Sequence, residues 1–400
     1  MLSLGLSGGI AAGKSLLSHR FRQLGAVVID ADQLAREAVA PGTAGLAAVV
    51  HHFGAGVLLA DGSLNRPALG ARVFADTDTD ELAVLNGIVH PLVRAAAEML
   101  KHDAGPGTVV VQDIPLLVET GQSANFHLVV VVSAPAEVRL ERMVQRRGMS
   151  TEDALARMAA QANDTQREAA ADIVLVNAGD PAEVLARLDV LWHERLLPFA
   201  ANLAAGVPAR HDHPAALVDA DPCWPAQAAR IMARLAAAAG DQAIGIDHIG
   251  STAVPGLAAK DVLDLQIRVQ DLAAADALAG SLADVGFPAL DGPWWDTGHD
   301  FAGGRAGEQW EKRFHVSADP GRRVNLHVRV DGSPGALFSV AFRDWLRAEP
   351  VARSRYEVFK WELAAKHAAD ESGRAYAEAK EPWFAAANRE LAAWVERTGR

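Results

Sequence analysis

The stretch GGIAAGKS at residues 8–15, set between the apolar run LSLGL and the helix-period segment LLSHRFRQLG, constrains this chain more than any other feature. It meets the pattern G-x-x-x-x-G-K-[ST] through Gly8, Gly13, Lys14 and Ser15, with a strand before it and a helix after it. Glycines let the backbone wrap around phosphates so that successive N–H groups point inward, and the start of the helix adds its positive end. Gly8, Gly9, Ala11, Ala12, Gly13, Lys14, Ser15 and Leu16 are thus expected to bind ATP. Lys14 is placed to reach the β- and γ-phosphates, and Ser15 to ligate Mg²⁺. The loop alone leaves a kinase and a nucleotide-binding regulatory switch both open.

A strand–loop–helix unit of this kind predicts an α/β fold, and the runs AVVID (26–30), TVVVQD (108–113), LVVVV (128–132) and DIVLVN (172–177) extend it. Near-continuous Val, Leu and Ile separated by amphipathic stretches indicate a parallel sheet covered by helices on both faces. The alternation fades near VLWHERLLPFAANLAAGVPARHDHPAALV, where a helix is expected to end at Pro198. We therefore read a first domain at 1–198, a linker at 199–216 and a second, α+β domain at 217–400. All but one of the 9 tryptophans fall beyond the linker. The formal charge of −12 argues against a nucleic-acid partner. No run has membrane-spanning length, and the chain enters its first strand at once, so a cytoplasmic location without membrane contact is expected. The lone Cys223 excludes an internal disulfide and reads as a buried thiol. Nothing in the sequence speaks to oligomeric state.

Ligands bind open α/β sheets at the carboxyl ends of the strands. Asp30 and Asp32 lie there after the second strand, Asp32 as a candidate base for an acceptor hydroxyl and Asp30 as its orienter or a contact to the metal through water, with a helix N-cap the alternative for either. Asp113 ends the third strand as a candidate second metal-side carboxylate or a turn-initiating residue before Pro115, and the following IPLL turn, with Leu116, is a candidate wall of an acceptor pocket. Arg139, Arg142, Arg146, Arg147, Arg157 and Arg167 crowd a helical stretch of an otherwise acidic chain. A lid carrying arginines over a transferring phosphoryl group would use them so, and Arg142 is the chosen catalytic candidate. The same residues also suit a nucleoside or nucleotide monophosphate kinase. A guanine-reading motif, which a regulatory switch would need, is absent.

Taken together, GLSGGIAAGKS, VIDADQLARE, APGTAGL, FGAGVLLADGSLNRPALGARVF, LNGIVHPLV, DIPLLVE and ADIVLVNAG resemble the dephospho-coenzyme A kinases over about residues 1–195. The resemblance implies transfer of the ATP γ-phosphate to the ribose 3′-hydroxyl of dephospho-CoA, with Asp32 as base and Lys14 and Arg142 as charge stabilisers. It also puts Asn177 at the nucleotide and Asp32, Asp113 and Leu116 at the acceptor. Ser7, Ala11 and Ala12 depart from the family's usual Thr and Gly-Ser, and Asn65 replaces an Asp. The second half, through IDHIGSTAVPGLAAKDVLDLQIRV, NLHVRV and EPWF, resembles the GrpB-like family of nucleotidyltransferase-type fold. Metal-dependent transfer would need two acids one residue apart on a strand, yet the strand reads Asp264-Leu265-Gln266. A non-catalytic second domain, supporting folding or regulation, is therefore expected. His248, His315 and His327 read as separate core or surface histidines rather than a metal site.

Overall fold

The computed structural model describes residues 1–73, 80–368 and 374–399. It divides into two compact units, one formed by residues 1–121 and 128–189, the other by 122–127 and 190–400. In the first, β1 (Leu2–Gly8), β2 (Val27–Asp30), β3 (Val109–Asp113), β4 (Leu128–Ser133) and β5 (Ile173–Val176) form one sheet in the order β2-β3-β1-β4-β5. Every pairing is parallel. Leu2, Leu4 and Leu6 of central β1 are fully buried, as are Val110, Val111 and most of β4, which is why these strands read as unbroken apolar runs. At the sheet's edge, β5 leaves Val174 and Val176 exposed.

The strand order places the carboxyl ends of β2, β3 and β1 side by side. Local hydrogen bonding then shapes the turns beyond the strands. Asp30 accepts a hydrogen bond from the Gln33 amide (3.0 Å) and caps helix Ala31–Ala38. Asn65 accepts from Ala68 N (3.1 Å) at the start of helix Arg66–Val73, so the Asp-to-Asn departure keeps a good cap.

In the second unit, β6 (Leu217–Val218) and β8 (Ala259–Lys260) form a short ribbon. Strands β7 (Gly245–Ile249), β9 (Leu263–Val269), β10 (Trp294–Thr297), β11 (Gln309–Val316) and β12 (Val324–Val330) make a mixed sheet in the order β10-β11-β12-β9-β7, parallel only between β12 and β9. One face, with Leu263, Leu265, Ile267, Leu326 and Val328, packs with helix Trp224–Ala239. By alternation the other face carries Asp264, Gln266, Asn325, His327 and Arg329. An aromatic core lies among helices Pro334–Ala348, Pro350–Lys366 and Glu381–Thr398.

Two expectations fail here. The helix does not end at Pro198: a π-helical turn, Trp192–Leu196, leads into helix Leu197–Ala205, in whose first turn Pro198 sits. A first-turn proline loses no needed amide, so it starts this segment instead of stopping it. Cys223 is exposed, because it precedes a helix whose first buried anchor is Trp224. Its bond to Asp221, chiefly, raises the thiol's pKa and keeps it protonated.

Candidate active site

Gly13 enters helix Lys14–Gln23 at φ 108°, a left-handed conformation that glycine adopts without strain. A Cβ there would collide with the Asn177 side-chain amide. One at Gly8 would lie 2.6 Å from the Val132 carbonyl oxygen, and one at Gly9 would lie 2.5 Å from Arg139 Nη1. The loop's glycines are thus demanded by close neighbours as well as by its curvature. Ala11 bears φ 60° with a side chain in place, one of two non-glycine residues with positive φ among those described.

From the first helix, Lys14 Nζ donates to Asp113 Oδ1. Ser18, one turn later, donates to Asp113 Oδ2 at 2.8 Å. Asp113 is only 7% exposed, so both its oxygens are committed to the helix that begins at the phosphate loop. Ser15, beside Lys14, is exposed. Asp32 lies in the first turn after β2, exposed, and its carboxylate makes no hydrogen bond or ion pair among the described residues. Leu116 is 48% exposed in the turn that follows β3, whereas Leu117 beside it is buried.

The arginines separate into three groups. Arg142 opens a π-helical turn, Arg142–Arg146, and donates to the carbonyls of Asn177 (3.0 Å), Ala11 and Ala12 (both 3.4 Å). Asn177 in turn donates to Ala12 O at 2.7 Å, so the loop's backbone is gripped from two sides. Arg139 and Arg167, by contrast, are each 4% exposed and so are not free lid arginines. Both pair with Asp164, Arg139 Nη2 at 2.9 Å and Arg167 Nη2 at 2.5 Å, beneath Gly9. Arg146, Arg147 and Arg157 are exposed.

Sequence reasoning missed Ser18, Gln161 and Asp164. Gln161 Oε1 accepts from the Ile10 amide at 2.9 Å, joining the loop to the segment after helix Thr151–Ala159. Asp164 had a weak local signal: the capping box of Asn163 and Gln166 marks a helix start there.

A second constellation lies in the other unit. Gln266 is fully buried; its oxygen accepts from Arg329 (2.8 Å) and its amide donates to Asp247 (3.2 Å) and Ala336 O (3.3 Å). Asp264 accepts from Asn325 at 2.9 Å and stands 3.9 Å from His327 Nε2. Burial, above all, lowers His327 to a pKa of about 4. His248 meets Thr252 at 2.9 Å and His315 meets the Phe287 carbonyl at 2.9 Å, so the three histidines are separately engaged. No cluster of metal-binding side chains occurs among the described residues.

Comparison with known proteins bears on both halves. A dephospho-CoA kinase of Mycolicibacterium paratuberculosis is 51% identical over 412 residues, covering 100% of this chain and 99% of its own. The chain belongs to the dephospho-CoA kinase family. The family described as dephospho-CoA kinase matches residues 2–183, and that described as GrpB protein matches residues 214–390. A dephospho-CoA kinase of Streptomyces avermitilis is 54% identical over 192 residues, covering 48% of this chain and 93% of its own. Among solved structures, a dephospho-CoA kinase from Campylobacter jejuni covers 48% of this chain and 96% of its own at 25% identity, with a TM-score of 0.38.

Proposed function

We propose that the first unit transfers the γ-phosphoryl group of ATP to the ribose 3′-hydroxyl of dephospho-CoA, giving coenzyme A and ADP. The observation that carries this is the convergence of the phosphate loop, the Lys14–Asp113 pair and the unpaired Asp32 at the carboxyl ends of adjacent strands, in a chain 51% identical to a dephospho-CoA kinase over its whole length. Residues 8–16 cradle the phosphates, with Asn177 and Arg142 holding the loop's carbonyls.

Asp32 takes the acceptor's proton as the hydroxyl oxygen bonds to the γ-phosphorus. The bond from that phosphorus to the β–γ bridging oxygen breaks, and ADP leaves. Lys14 and Arg142 offset the negative charge that develops on the moving group. Asp113 positions Lys14, and Leu116 supplies apolar contact to the acceptor. The exposed Ser15 hydroxyl fits Mg²⁺, which takes few protein ligands and completes its shell with water and phosphate oxygens. When bound, that ion supplies further charge neutralisation at the phosphates.

The fixed Gln266 supports a second unit without transfer chemistry, since an amide locked between Arg329 and Asp247 offers no second carboxylate. We place the enzyme's work in the cytoplasm; no described helix is long and apolar enough to cross a membrane. Replacement of Asp32 by Asn tests the assignment of the base: kcat should collapse while ATP affinity persists. Loss of ATP binding with kcat retained would instead make Asp32 a nucleotide-side residue.

A further inference from the structure

The peptide that joins Gly9 to Ile10 is held at both of its polar atoms. Its carbonyl accepts from the Ala12 amide at 3.0 Å, and its N–H donates to Gln161 Oε1 at 2.9 Å. The first of these bonds closes a turn over Gly9, Ile10, Ala11 and Ala12, whose third residue, Ala11, bears φ 60°. A turn with positive φ at its third residue is made for glycine, because a Cβ there crowds the following carbonyl. Ala11 therefore resists the turn it occupies.

Only part of the loop's backbone is left for a ligand. Ala11 and Ala12 give their carbonyls to Arg142 at 3.4 Å, and Ala12 gives its own to Asn177 as well. The amides of Ala11, Gly13, Lys14 and Ser15 carry no hydrogen bond among the described residues, so they are the donors that can meet phosphate oxygens. Ile10 is withheld from that set by Gln161.

Gln161 is itself fixed. It follows helix Thr151–Ala159, and its own amide donates to Met158 O at 3.3 Å. The amide of the next residue, Ala162, donates to Glu119 at 2.9 Å, in the turns beyond β3. The acceptor that meets Ile10 thus comes from a segment anchored on both sides of the glutamine.

We propose that Gln161 is a positioning residue for the nucleotide: by clamping the Gly9–Ile10 peptide it holds shut a turn that Ala11 resists, and so keeps the amides of Ala11, Gly13, Lys14 and Ser15 converged on the phosphates. It acts through the loop and not by contact with the nucleotide. The inference rests on residues 8–16 being the ATP cradle. With glycine at position 11 the turn would close unaided, so positions 11 and 161 are energetically coupled.

A double-mutant cycle on the full chain tests this, with wild type, Gln161→Ala, Ala11→Gly and the double variant compared by calorimetric titration of ATP with Mg²⁺ and by steady-state kinetics. Gln161→Ala should raise Kd for ATP by about tenfold, as loss of one well-made hydrogen bond does. KM for ATP should rise in step while kcat stays within about threefold, because the cradle binds ground and transition states alike. KM for dephospho-CoA should not move. In the Ala11→Gly background the same replacement should change Kd by less than about threefold. Unchanged Kd in Gln161→Ala would overturn the proposal and leave the cradle standing. An equal loss in both backgrounds would overturn it by making Gln161 a direct nucleotide contact, and an affinity loss explained by unfolding in circular dichroism would overturn it by making the residue structural. A wild-type chain that binds no ATP would overturn the cradle and the inference together.

Discussion

Lys14 and Asp113 show what a motif tells and what only the fold adds. The phosphate-loop pattern places Lys14 at the start of a helix, but its partner lies 99 residues away and meets it only because β1 and β3 pair in parallel register. Replacing Lys14 or Arg142 by Ala should lower kcat by about a hundredfold or more, as loss of a transition-state charge partner does. Steady-state kinetics with circular dichroism separates that loss from misfolding. An unchanged kcat in Arg142→Ala would leave that arginine only its grip on the Asn177 and Ala12 carbonyls. The position of Asp32 just after β2 was legible because an acid at the end of an apolar strand is a local feature, while its role as base is a proposal. Asp164 and Gln161 were not, because nothing local marks a contact to Arg139 or to the Ile10 amide.

At the scale of elements, the five strands of the first unit were readable because their burial on both faces writes continuous Val, Leu and Ile runs into the sequence. The arginine-rich segment was read less well. Charge predicts exposure, yet Arg139 and Arg167 are buried because Asp164 neutralises both at once. Asp164→Asn would leave two buried guanidiniums with a neutral partner. Because Asp164 itself is 42% exposed, solvent screens part of the loss, and we expect about 2 kcal/mol. Chemical denaturation followed by circular dichroism measures it; an unchanged midpoint would show that water substitutes for the carboxylate. Ala11 offers the opposite case. Its φ of 60° costs about 1–2 kcal/mol in a residue with a Cβ, against about 0.5–1 kcal/mol of backbone entropy that glycine would forfeit. Ala11→Gly should therefore leave stability equal or slightly raised, whereas Gly9→Ala, driven against Arg139, should lower both stability and kcat.

For the molecule as a whole, the two units should respond differently to acid. Burial holds His248 and His327 neutral, each with a folded pKa of about 4 against an ordinary 6.5. The unfolded chain thus binds more protons between those values, so the second unit's stability is full above about pH 6.5 and falls as pH drops toward 4. The urea midpoint read by tryptophan fluorescence should decline over that window; a flat profile would mean that the histidines protonate without opening the core. The identity of the helix near Pro198 was not legible, since a proline looks the same as a stop and as a start. The Streptomyces avermitilis relative, matched over 93% of its length by only 48% of this chain, agrees with a kinase contained in the first half. Residues 217–400 in isolation should accordingly transfer no labelled nucleotide to any acceptor; label that vanishes with Asp264→Ala would make Gln266 an adequate replacement for the second acid. The most direct measurement is ADP release by the full chain, with ATP and Mg²⁺, across dephospho-CoA, adenosine, AMP and dCMP. Turnover with dephospho-CoA alone, with the phosphate on the ribose 3′-hydroxyl and lost in Asp32→Asn, is the predicted result; turnover with AMP or dCMP and none with dephospho-CoA would contradict it.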